Sequence, residues 1–134
     1  MGTTTGPVSG APVIGSWISE PREPGGIQDL YIFKESGRFD ATVVPSPTGE
    51  PLRYEVHLQG TWEETSGTRY LLIGEEITSH FTNGTHSSRL VRDLLRYDYR
   101  DDRLYRESDP AHPLMRISHE ATIPPGMNVS IPWD

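Results

Sequence analysis

The five histidines, His57, His80, His86, His112 and His119, are the first residues to weigh for chemistry. None stands two or four positions from another and no His-Glu-x-x-His occurs, so their spacing supplies no metal-ligand set. Glu55 and His57 share a strand face about 7 Å apart, a distance that suits a base and its orienter. That face is the polar one, however, and is expected to meet solvent. No Gly-x-Ser-x-Gly turn activates a serine, no glycine-rich loop cradles phosphate, and there is no cysteine for disulfides, thiolate metal sites or nucleophilic attack. Neither a metal nor a cofactor is predicted. What remains are polar groups on faces that otherwise look inward. Ser79 alternates with Ile77 and Phe81, and in an extended reading Arg89 and Asp93 share the face of Val91, Leu95, Tyr97 and Tyr99. Ionisable groups are costly to bury unless paired, so Asp93 and Ser79 are candidates for holding a ligand's polar end. Tyr31, Tyr54, Tyr70 and Tyr97 each offer a cavity an apolar ring and a hydroxyl.

Short strands must position these residues. Residues 52–63 alternate most cleanly: Leu52, Tyr54, Val56, Leu58 and Trp62 fall on one face, with Gly60 in register to let a long strand bend. Residues 13–19, 30–34 and 39–44 read as earlier strands, the last two joined by a hairpin through Gly37. Residues 69–73 and 77–82 follow, separated at Gly74 by a bulge or turn, and Asn83-Gly84 is a strong hairpin signal. Residues 87–95 fit two periods. Leu90, Val91, Leu94 and Leu95 match a helix behind a Ser87 cap, whereas Val91, Leu95 and Tyr97 match a strand. Strand is expected from Leu94 onward, and 88–93 stay open between the two. Residues 104–107 and 114–119 complete the set. Eight or nine short strands joined mainly by hairpins predict an all-β chain, one antiparallel up-and-down barrel at residues 13–119. A flexible N-terminus (1–12) and a Pro-rich C-terminal tail (120–134) flank it.

Length and charge bound the partners. The chain has 134 residues, enough for one core and too few for two. A net charge of −7 argues against nucleic acid. The arginine-rich stretch from Arg89 to Arg106 is interleaved with Asp93, Asp98, Asp101 and Asp102, which makes it an ion-paired surface. With no secretory signal and no apolar run long enough to span a membrane, a soluble cytoplasmic protein is expected. Leu30-Tyr31-Ile32-Phe33 and Tyr70-Leu71-Leu72-Ile73 are apolar on both faces, so their outer sides need cover; a homodimer is favoured over a helix or the tail.

Gly15-Ser16-Trp17 on the first strand resembles the glycine-x-tryptophan signature of the lipocalin and calycin group. Tyr31 through Phe39, an aromatic strand, a glycine turn and a second strand, is similar to bacterial lipocalin-like domains. The resemblance implies that Trp17 closes one end of the barrel with an arginine packed across it, Arg116 first and Arg106 second. The interior is then expected to receive a hydrophobic or amphipathic small molecule. Phe33, Tyr54, Val56, Trp62, Tyr70, Leu72 and Tyr97 would form its walls, with Tyr31, Ser79 and Asp93 among the contacts. A cofactor-independent cyclase or isomerase of natural-product biosynthesis, acting on a polyketide-like or terpenoid-like substrate, is the alternative by fold analogy. A protein-binding or inhibitor module using loops 20–26 and 45–51 is the third.

Overall fold

The structure is a computed structural model, described here for residues 11–20, 28–44, 54–80 and 83–125, Tyr54 by its backbone only. Loops 20–26 and 45–51, apart from Glu20, lie outside the described residues, as do 1–10, Phe81, Thr82 and 126–134.

Eight strands follow one another: β1 (Gly15–Ser19), β2 (Gln28–Phe33), β3 (Arg38–Val44), β4 (Tyr54–Ser66), β5 (Arg69–His80), β6 (His86–Asp98), β7 (Arg103–Arg106) and β8 (Asp109–Ser118). Each pairs antiparallel with the next, and β8 returns to β1, so the sheet closes as an up-and-down barrel with every strand paired on both sides somewhere along its length. This is the all-β barrel the alternation predicted, and it is consistent with a calycin-like fold. No helix among the described residues is long and apolar enough to cross a membrane.

The inward phase is continuous around the barrel. Trp17 stands opposite Tyr31, Tyr31 opposite Ala41, and Ala41 opposite Leu58. Trp62 then faces Leu72, Leu72 faces Asp93, and Leu104 faces both Tyr97 and Leu114. Aromatic rings pack the interior. Tyr31 and Phe33 stack at 6.0 Å, Phe33 and Phe39 at 5.9 Å, and Trp62 meets Tyr70 edge-on at 5.9 Å. Both buried indoles satisfy their N–H on the backbone: Trp17 donates to the Val13 carbonyl at 2.9 Å and Trp62 to that of Lys34 at 2.8 Å.

Three expectations change. β5 runs unbroken through Gly74, because Gly74 lies opposite Gly60 within a single ladder with β4. Residues 88–93 are strand, since β6 pairs with β5 from His86 to Arg96 and this long-range ladder overrides the local helical period. His57 is buried on the outer face of β4 beside Glu55 at 3.3 Å, and so does not lie in solvent.

The outer side of β2 finds its cover within the chain: Leu30 and Ile32 form a small cluster with Val44, Ala121 and Ile123. Burial there is worth about 1–2 kcal/mol for a single aliphatic side chain. Ile123→Ser should therefore lower the urea midpoint by roughly that energy while leaving far-UV circular dichroism unchanged; an unaltered midpoint would mean the contact contributes nothing. Leu71 stays half-buried and Ile73 is 46% exposed, so β5 lacks such a cover among the described residues.

Candidate functional site

The two ends of the barrel differ in kind. One is sealed. There the Arg116 guanidinium lies 4.2 Å from the Trp17 ring centre, donates through Nε to both oxygens of Asp102 at 3.2 and 3.0 Å, and reaches the carbonyls of Ile14 and Pro12. Tyr97 donates its hydroxyl to Asp102 at 2.7 Å and packs edge-on against Trp17. Burial raises the Asp102 carboxyl, but hydrogen bonds from Tyr97 and Arg116 outweigh it and hold the group below its usual range. Gly15 has to be glycine here. Its φ is +136°, and a side chain would run into the Ser118 carbonyl and the Arg116 guanidinium. The arginine set across Trp17 is thus Arg116, the first choice from sequence, while Arg106 lies elsewhere.

The other end holds a cavity of about 720 Å³. Tyr31, Ala41, Val43, Val56, Leu58 and Val91 supply its apolar surface; Asp29, Glu76, Arg89, Asp93, Arg106 and Asp109 supply charge. Among the described residues its mouth lies where the strands are unequal. β6 has 13 residues but β7 only 4. Among the described residues β7 covers β6 only from Leu95 to Asp98. At the end of that ladder Asp93 takes over, accepting from the Ser108 backbone N–H at 3.2 Å and from its hydroxyl at 2.7 Å.

Arg106 is the centre of the polar wall. Its side chain is 7% exposed; Nη1 donates to Asp29 at 3.3 Å, Nη2 to the His112 carbonyl at 3.1 Å, and Nη2 lies 3.7 Å from Asp109. Tyr31 packs its ring 5.8 Å from the guanidinium carbon. Burial pushes the Tyr31 hydroxyl above its ordinary range, with the Arg106 charge opposing it only in part, so Tyr31 stays neutral and able to donate at physiological pH. Arg106 is held fully protonated, the neighbouring Tyr31 and Asp29 outweighing the cost of burial. At the rim, Arg89 pairs with Glu76 at 2.8 Å.

Of the residues singled out from sequence, Tyr31, Val56 and Asp93 line the cavity. Trp17, Phe33, Trp62, Tyr70 and Leu72, with the half-buried Tyr97, belong instead to the packed interior. Tyr54 lies at the start of β4, its side chain outside the described residues. Ser79 is a correction. Unbroken from Tyr70, β5 turns Leu72, Gly74, Glu76 and Thr78 inward; Ser79 faces outward, opposite Glu55, and bonds His86 at 2.9 Å. Treating Gly74 as a break restarted the alternation one residue out of phase. Neither Asp29 nor Asp109 is singled out from sequence, and Arg106 only as second candidate at Trp17, although Asp29 is in phase with Tyr31 and Arg106 with Leu104.

No family model matches this chain, and no curated protein or solved structure matches it either.

Proposed function

We propose that this barrel is a receptor for an amphipathic small molecule, taken into the cavity bounded by β2, β3, β4 and β6. One observation carries the reading: among the described residues, a closed barrel sealed at one end holds at the other a cavity of about 720 Å³ lined by apolar and charged side chains, a buried Arg106 among them. That volume lies within the roughly 300–1,000 Å³ of small-molecule sites, and its lining is divided between apolar and charged side chains, more polar than most such sites. The likeness to lipocalins rests on Gly15, Trp17 and Arg116, and their arrangement at the sealed end supports it. A soluble, cytoplasmic setting and self-association through the exposed side of β5 remain part of this proposal.

The test uses the neutral fluorophore N-phenyl-1-naphthylamine. Wild-type protein should bind it saturably with a blue shift. Val56→Trp, which fills the half-buried mouth, should weaken binding by at least about tenfold, equivalent to about 1.4 kcal/mol, with an unchanged melting temperature. Equal binding by the two proteins would move the ligand out of this cavity.

A second reading is favoured by the Tyr31 hydroxyl, a neutral donor beside a buried cation inside a substrate-sized space: a cofactor-independent cyclase or isomerase that folds its substrate and polarises one oxygen. Tyr31→Phe would then abolish most turnover while leaving N-phenyl-1-naphthylamine affinity intact. Parallel loss of both would assign Tyr31 to binding alone.

A further inference from the structure

Every polar atom of Arg106 has an acceptor except one. Nη1 and Nη2 are engaged by Asp29 and the His112 carbonyl and the Tyr31 hydroxyl lies against the guanidinium, yet Nε is buried and makes no hydrogen bond of ordinary geometry among the described residues. A buried guanidinium N–H left unmade is destabilising and is relieved by any oxygen brought to it. Arg106 lines the cavity, so that oxygen can come from a ligand.

The surroundings decide what kind of oxygen. The Arg106 charge is already offset by Asp29 at 3.3 Å and Asp109 at 3.7 Å. Glu76 and Asp93 also line the cavity, making four carboxylates against the three guanidinium groups of Arg89, Arg92 and Arg106, and Arg89 is already tied to Glu76. An anionic head group would enter a space whose fixed charge does not welcome it, and would compete with Asp29 for the one buried cation. A neutral acceptor has no such opponent. The Tyr31 hydroxyl, beside the same guanidinium, offers it a second donor.

Resting on the cavity reading above, we infer that the ligand presents an uncharged oxygen, a carbonyl or hydroxyl, to Arg106 Nε, and that carboxylates are selected against. The ligand's apolar remainder then lies along Ala41, Val56, Leu58 and Val91. The arrangement is a filter as much as a grip: the guanidinium that would attract fatty-acid-like molecules is neutralised by two acids in advance.

The experiment is displacement of N-phenyl-1-naphthylamine by the nine-carbon pair 2-nonanone and nonanoate at pH 7.5. Wild-type protein should take the ketone at least about tenfold more tightly than the carboxylate. Asp29→Asn frees the Arg106 charge and should narrow or reverse that ratio by raising nonanoate affinity. Asp109→Asn should act in the same direction, which guards against a folding defect in either variant. Nonanoate binding as tightly as the ketone, or a ratio unmoved in both variants, overturns the inference while leaving the cavity reading intact. Failure of N-phenyl-1-naphthylamine and both competitors to bind overturns the two together.

Discussion

Arg116→Ala should destabilise the barrel by about 3 kcal/mol, the scale for removing one partner of a buried, hydrogen-bonded charge. For a chain of this length that is a fall of roughly 10 °C in melting temperature. The side chain is 7% exposed and makes contacts of three kinds. It lies over the Trp17 ring, it neutralises Asp102, and it donates to the carbonyls of Ile14 and Pro12, fixing the segment that crosses the sealed end. Truncation leaves two backbone carbonyls without their donor, leaves the Asp102 carboxylate with Tyr97 alone and uncovers the indole face. Arg116→Lys should rescue little, because an ammonium cannot lie flat on the ring and reach three acceptors at once.

The same cluster fixes a pH dependence. The folded Asp102 carboxyl is held below its unfolded range, so its contribution is present in full above the unfolded value, about 3.9. It is lost as pH falls through the lower folded value. Asp102→Asn should therefore lower the melting temperature at pH 7 and converge with wild type once pH falls below the lowered folded value. Because Asp102 is 43% exposed, solvent screening keeps its effect well under that of Arg116→Ala. Asn tolerates the φ of 52° at this position, so backbone strain does not confuse the comparison. Equal destabilisation of the two variants at every pH would show that packing on Trp17 outweighs the ion pair.

How much of this could be read from the chain depends on where the deciding information lies. The period of β4 and the Asn83-Gly84 hairpin are written locally, whereas the Trp17–Arg116 closure is legible only through the resemblance to the lipocalin and calycin group. Asn83 accepts from the backbone and hydroxyl of Thr85, a turn that its own sequence dictates. The 88–93 segment is different. Leu90, Val91, Leu94 and Leu95 satisfy a helix equally well, and what makes them strand is the row of residues on β5 that they pair with, Glu75, Gly74, Leu71 and Tyr70. The cavity shows the limit most plainly. Asp29 and Arg106 are each in phase with inward apolar neighbours, but they stand 77 positions apart. Only barrel closure, β8 returning to β1, brings the two strands near enough for one to neutralise the other.

Gly74→Ala should be as damaging as any single substitution in the wall, costing about 3 kcal/mol or preventing folding, because the added atom meets backbone and not a side chain that can turn away. A Cβ on Gly74 would collide with the Gln59 carbonyl and come within 3.1 Å of the Phe39 ring; one on Gly60 would collide with the Ile73 carbonyl. The two glycines face each other across β4 and β5, and Phe39 stands opposite Gly60 on β3. Here the β4 and β5 backbones approach too closely for side chains, and the Phe39 ring lies where a Gly74 side chain would go. Gly60→Ala should match Gly74→Ala, while Gly67→Ala in the β4–β5 turn, where a Cβ meets nothing within 4 Å, should be near neutral. Urea denaturation of the three variants checks the order. A Gly67 variant as unstable as the others would mean that the loss of glycine itself, not backbone approach, sets the cost. If the order holds, Gly74 is neither the break nor the turn that its residue type suggests, but a point where β5 lies too close to the β4 backbone for a side chain.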